Sequence, residues 1–172
     1  GISAATYLKK KCPNKKFIIL EKRSSIGGTW DLFKYPGIRS DSDMFTLGFS
    51  FKPWKERKAI ANGPAIMNYL KETVDERKID SHISYNQSLI KAEWSSKESS
   101  WKLTIKNTAT NGDEIIFCKF LFMCSGYFNY EKGYTPKFNG IENFDGEIVH
   151  PQDWSEKINY NDKKVVIIGS GA

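Results

Sequence analysis

Apolar residues over the first twelve positions recur at three- and four-residue spacings, Ile2, Ala5, Leu8 and Cys12, which predicts a helix over 1–12 with one inward face. Cys12-Pro13 ends it, because the residue before a proline is pushed out of helical geometry. The pattern then becomes an unbroken run, Phe17-Ile18-Ile19-Leu20, the signature of a strand buried on both faces of a parallel sheet. Phe120-Leu121-Phe122-Met123-Cys124 and Lys163-Lys164-Val165-Val166-Ile167-Ile168 read the same way. Met44 to Phe51 predicts a short helix or turn broken by Pro53-Trp54. Gly63-Pro64 opens a longer helix over about 65–78, with Ile66, Tyr69, Leu70, Thr73 and Val74 on one side.

Between the second helix and the run at 120 the period shortens to two. Segments 89–94, 101–106 and 114–118 predict a small antiparallel sheet in which Trp101, Leu103 and Ile105 share a face and Asn111-Gly112 marks a turn. Helices alternating with buried strands predict an α/β fold. Glycine half-motifs at the two ends of the chain make it a Rossmann-like dinucleotide-binding one, and a small sheet of this kind resembles an insertion familiar in flavin-binding folds. Trp54, Trp94 and Trp101 read as core or sheet packing, and Cys118 and Cys124 as small buried apolar residues.

One stretch has no such period. From Gly27 to Asp41 the chain runs Gly-Gly-Thr-Trp-Asp-Leu-Phe-Lys-Tyr-Pro-Gly-Ile-Arg-Ser-Asp, with two bends built on glycine and proline and with Arg39 and Asp41 in one short loop. A long aperiodic segment of this kind is more often functional than a plain connector, and its aromatic content argues against disorder.

Two half-motifs flank it. Glu21 closes the run at 17–20 and stands twenty residues after Gly1, the spacing at which an acidic residue meets ribose hydroxyls beyond a glycine fingerprint. A surface carboxylate at a strand end explains Glu21 equally well. At the other end Ile168 leads straight into Gly169-Ser170-Gly171, the opening of a second fingerprint. The chain therefore reads as a fragment cut just inside each phosphate loop, expected to be inactive alone and, with open sheet edges, prone to aggregate.

Composition adds limits. The 172 residues, 40% of them hydrophobic, suffice for a sizeable core, and no run of eighteen apolar residues predicts an integral membrane segment. A net charge of +6 admits a polyanionic partner, but the basic residues are dispersed and no aromatic–basic RNA motif accompanies them. Lys9, Lys10, Lys11, Lys15 and Lys16 read instead as a solvated face, with no nucleic acid as partner. Three scattered cysteines and two histidines predict a reduced, cytoplasmic chain without a metal site.

The residues also carry a resemblance. Gly27-Gly28-x-Trp30, Tyr35-Pro36-Gly37 and Asp41 match all seven defined positions of the signature of Baeyer-Villiger monooxygenases. Phe144-x-Gly146-x-x-x-His150-x-x-x-Trp154 is similar to the second signature of that superfamily, with Ser155 where Pro or Asp usually follows. Trp30-Asp31-Leu32-Phe33, Ser40-Asp41-Ser42-Asp43 and Cys124-Ser125-Gly126-Tyr127 most resemble the subgroup of the ethionamide-activating monooxygenase.

The resemblance implies a flavoprotein in which NADPH reduces FAD, a peroxyflavin forms with molecular oxygen, and one oxygen atom passes to a ketone or to sulfur. It implies an FAD-binding domain over 1–143, a linker over 144–162 and the start of an NADP-binding domain at 163–172. Gly1 would meet the FAD pyrophosphate. Glu21 would hold the ribose beside Lys22, and Gly28, Thr29, Trp30, Asp31 and Leu32 would line the flavin. Leu89 would contact adenine through its backbone. Arg39, Ser40 and Asp41 would sit where flavin and nicotinamide meet, with Asp41 supporting an active-site Arg further along the polypeptide. The plainer alternative for Asp41 is a cap on the helix near Met44. His150 and Trp154 would couple domain movement to NADP binding, and Gly169, Ser170 and Gly171 would belong to the NADP loop. An N- or S-oxygenase, an NADPH–flavin reductase and a non-catalytic dinucleotide-binding module stay open as alternatives.

Overall fold

The computed structural model describes residues 1–169. In chain order its elements are α1 (Ile2–Lys11), β1 (Ile19–Leu20), α2 (Thr29–Leu32), α3 (Met44–Leu47), α4 (Gly63–Glu76), β2 (Ile83–Ser84), β3 (Gln87–Ser95), β4 (Ser100–Asn107) and β5 (Asp113–Cys118). Short 3-10 turns lie at Asp80–His82, Ile141–Asn143 and Pro151–Asp153. The chain forms two compact units, Gly1–Ile26 with Asn68–Gly126, and Gly27–Met67 with Tyr127–Ala172.

In the first unit, β1 pairs in parallel with β2, Ile19 opposite Ile83. Ala5 of α1, Val74 of α4 and Ile79 form the buried centre, with Ile2, Phe17, Ile19, Ile26 and Ile83 packed around it. The end of α4 is a Schellman turn. Ile79 N–H donates to Val74 O and Lys78 N–H to Asp75 O, with Lys78 at φ 51°. Lys9 Nζ donates to the carbonyls of Arg77 (3.0 Å) and Lys78 (2.7 Å), so a cation from α1 satisfies the terminal carbonyls of α4. Lys9 is thus a half-buried helix cap, not part of a solvated lysine face as expected.

The antiparallel sheet β3–β4–β5 forms where the period-two pattern places it. Leu103 and Ile105 of β4 are buried, and Trp94 and Trp101 face each other across β3 and β4 with ring centroids 5.5 Å apart. The register shifts between Leu89 and Lys91, leaving Ile90 as a bulge.

In the second unit, Met44, Trp54, Ala61, Ile66 and Met67 are buried. Backbone pairing draws 38–44 along 59–63: Gly63 N–H donates to Ile38 O, Ser40 N–H to Ala61 O, and Met44 N–H to Ala59 O.

Three apolar runs depart from expectation. Phe17–Leu20 is strand only at Ile19–Leu20, and Ile18 is exposed. Phe120–Cys124 forms no strand, with Phe120 90% exposed and Phe122 76% exposed. Val165–Ile168 forms none either and is exposed throughout. An all-apolar strand is stabilised by neighbours on both sides of it, and among the described residues β1 has one partner strand and the other two runs have none. Cys124, at the end of one such run, is exposed, and Cys118 on β5 is half-buried, so neither is the buried residue expected.

Candidate functional site

The first unit presents Glu21 at the end of β1. Its N–H donates to Ser84 O (2.9 Å) and its carbonyl accepts from Gln87 N–H (2.8 Å), so the main chain is stitched to β2 and β3. Its carboxylate Oε1 accepts from Arg23 N–H at 3.0 Å. Oε2 has no hydrogen-bond partner among the described residues and suits a pair of ribose hydroxyls. Lys22 is exposed, and its carbonyl accepts from Thr108 Oγ1 at 3.2 Å. Leu89 lies half-buried on β3 opposite Ile105, just before the bulge.

Nearby, burial pushes the Tyr85 phenol up, reinforced by the charge of Asp80, its hydrogen bond to Asp80, and the charge of Glu21. Gly1 is the N-cap of α1 and carries no side chain to satisfy the first N–H groups, which suits an anion. A Cβ at Gly1 would meet Ile19 Cγ2 at an ordinary 3.6 Å, so packing against β1 does not itself demand glycine.

The second unit holds the loop. Gly27 (φ 116°) and Gly28 (φ 50°) turn the chain into α2, and a side chain at 27 would collide with the Met67 thioether. Trp30 N–H donates to Gly27 O, Asp31 and Leu32 N–H to Gly28 O, and Phe33 N–H to Thr29 O, all within 2.9–3.1 Å. Thr29, Trp30, Asp31 and Leu32 are all half-buried. Asp31 pairs loosely with Lys34 at 3.8 Å.

Ser40 is 1% exposed. Its hydroxyl accepts from Ala61 N–H at 3.1 Å, so it pins the loop rather than offering itself to a ligand. Its neighbours Arg39 and Asp41 are exposed on either side. The cap on α3 is Asp43, not Asp41: Asp43 Oδ1 accepts from Thr46 N–H at 2.9 Å and Oδ2 from Thr46 Oγ1 at 3.0 Å. That leaves the Asp41 carboxylate without a partner among the described residues, and the plainer role considered for it is overturned.

The second signature forms a corner. His150 caps the 3-10 turn at Pro151–Asp153, its Nδ1 accepting from Gln152 N–H at 3.1 Å, so in the neutral ring the proton sits on Nε2. The imidazole occupies the space a Cβ at Gly133 would need. Trp154 is half-buried, with its ring 5.6 Å from that of Tyr160. Gly169 is exposed, and Ser170 and Gly171 lie outside the described residues.

Residues that periodicity could not single out complete this unit. Tyr130 places its hydroxyl 3.4 Å from Thr29 Oγ1, and Met67, Gly133 and Gln152 complete the contacts around the turn and the corner. Tyr130 carries no periodic or motif signal in the sequence, since its partner Thr29 lies 101 residues away.

Among the described residues no group of His, Cys, Asp or Glu is placed to hold a metal ion, and no helix is long and apolar enough to cross a membrane.

A family model described as flavin-binding monooxygenase-like matches residues 47–172. The chain is 54% identical over its whole length to the FAD-containing monooxygenase EthA of Mycolicibacterium smegmatis, and 53% identical to EthA of Mycobacterium tuberculosis. It spans 35% of the length of these relatives. Among solved structures it is similar to the complex of OTEMO with FAD and NADP, with a TM-score of 0.73 and 26% identity over 90% of this chain and 28% of that one. The α/β fold is that of this FAD- and NADP-bound neighbour.

Proposed function

Because the chain belongs to the flavin-binding monooxygenase-like family, we propose that the polypeptide carrying it is an FAD- and NADPH-dependent monooxygenase of Baeyer-Villiger type. Reduced FAD supplies the activated oxygen, and a ketone or a sulfur compound receives it. The protein's own part is to bind, orient and keep water out. The relatives that are more than half identical are named FAD-containing monooxygenases, which supports the cofactor; a cytoplasmic setting suits three free cysteines.

The carrying observation is the Gly27–Leu32 turn, in which two positive-φ glycines and four short backbone hydrogen bonds build a rigid bend that a Cβ would obstruct. In this reading Gly28, Thr29, Trp30, Asp31 and Leu32 line the flavin, and Glu21 orients the ribose with Lys22 beside it. The first helical N–H groups behind Gly1 meet the pyrophosphate, and Leu89 borders the adenine. Arg39 and Asp41, exposed and flanking a pinned Ser40, face the meeting point of flavin and nicotinamide, where Asp41 supports a positive group supplied by the rest of the polypeptide. His150 and Trp154, on the stretch 144–162, link an FAD-binding domain over 1–143 to an NADP-binding domain that starts over 163–172 and takes Gly169, Ser170 and Gly171 into its phosphate loop.

The test is to express a polypeptide of the relatives' length carrying this chain and follow flavin absorbance, NADPH consumption, and ester or sulfoxide formation. Bound FAD with oxygenated product is expected, and Asp41→Ala should divert at least tenfold more of the consumed NADPH to peroxide. A protein that binds no flavin would sink the reading, and one that makes only peroxide from every ketone and sulfide would reduce it to a flavin reductase.

A further inference from the structure

The stretch 128–133 has one side on the Gly28 turn and the other on the His150 corner. Toward the turn, the Phe128 ring meets Phe33 edge-on with centroids 5.5 Å apart, and the Tyr130 hydroxyl lies 3.4 Å from Thr29 Oγ1. That same hydroxyl stands 3.1 Å from where a Cβ on Gly28 would be, so it rests on the turn where the chain carries no side chain. Toward the corner, Asn129 O accepts from Gln152 Nε2 at 3.0 Å, and Gly133 makes room for the His150 ring. Between these points Asn129 Oδ1 accepts from Glu131 N–H at 3.0 Å, which holds the bend that presents Tyr130.

We propose that Tyr130 is a positioning residue for the Gly28–Leu32 turn, and that its place is set by the His150–Gln152 corner through Asn129 and Gly133. This rests on the reading that the turn lines the flavin. Gly28 and Thr29 cannot hold the turn's outer side themselves, since one has no side chain and the other has a single short hydroxyl. A half-buried phenol supplies that outer wall. Anything that shifts the corner must drag 129–133 with it, because two contacts join them and both end on backbone or on a residue without a side chain. The hydroxyl over Gly28 then moves too. A contiguous set of packed and hydrogen-bonded contacts, anchored at both ends as in this segment, is one physical carrier of such coupling.

The test uses the full-length protein carrying this chain, as Tyr130→Phe, Gln152→Ala and the double variant. Three quantities are read: FAD affinity, the position of the flavin's visible absorption band, and hydrogen exchange at the amides of Trp30 to Phe33. Tyr130→Phe should weaken FAD binding about fivefold, move the band, and speed exchange at those four amides by a similar factor, the scale of one lost hydrogen bond. Gln152→Ala, remote in sequence from the turn, should produce the same changes at two- to fivefold. The double variant should be no worse than Tyr130→Phe alone, because the two changes cut one connection.

Tyr130→Phe with wild-type exchange at Trp30 to Phe33 overturns the proposal. So does Gln152→Ala that loosens only 150–153. A parent protein that binds no FAD sinks the flavin reading instead, while the exchange data still decide whether Tyr130 holds the turn.

Discussion

Ile105 on β4 is 0% exposed, while Phe120, two residues beyond the end of β5, is 90% exposed, although both are large apolar residues of one compact unit. The sheet β3–β4–β5 is closed by its own hairpins, and each strand finds its neighbour within a few residues. Phe120–Cys124 and Val165–Ile168 are apolar at every position, so each needs partners on both flanks that a hairpin cannot provide. Local pairing makes a strand self-sufficient; an all-apolar strand depends on distant chain. The same contrast explains the short β1, whose one partner strand among the described residues is β2.

The largest effect sharpens this contrast directly. Ile105→Asp places an unpaired charge in the fully buried centre of the sheet and should cost about 4 kcal/mol or more, read as loss of the cooperative unfolding transition in the parent protein. Phe120→Asp made in residues 1–172 alone should leave stability within about 0.5 kcal/mol and raise solubility. Equal damage from both substitutions would break the comparison.

Gly27→Ala asks whether a unit whose order comes from loops is as tightly specified as a sheet. With φ at 116° and the Met67 thioether in the way, the substitution should cost about 1–3 kcal/mol by denaturant titration. A neutral result would mean that the turn has room to relax.

Lys9→Ala removes the two bonds that close the end of α4 and should cost about 1–2 kcal/mol, while Lys10→Ala, whose side chain is exposed, should fall within about 0.5 kcal/mol. Indistinguishable midpoints for the two variants would return Lys9 to the solvated face.

The smallest effect concerns pH. Tyr85 in the fold keeps its proton to higher pH than in the unfolded chain, because burial, Asp80 and Glu21 all disfavour the phenolate. The stability it contributes is therefore complete below the ordinary tyrosine value of about 10 and is lost as pH rises through the folded one. Denaturant midpoints between pH 8 and 11 should fall less steeply for Tyr85→Phe than for the wild type. Parallel slopes would remove Tyr85 from the alkaline response.

Periodicity and turn chemistry in the sequence alone determined α1, α4, the three antiparallel strands and the turn at Asn111-Gly112, because each writes a regular local pattern of residue types. Gly27, Gly28 and Gly37 likewise made the bends of the loop legible, since short-range backbone demands leave their mark on residue type. Tertiary structure alone decided that Asp43 rather than Asp41 caps α3, that Lys9 closes another helix, and that Tyr130 rests on Gly28. Whether an apolar run becomes a buried strand was also decided there. A cap is a choice between two nearby carboxylates, and a contact across a hundred residues follows no period, so neither leaves a local pattern from which it could be read.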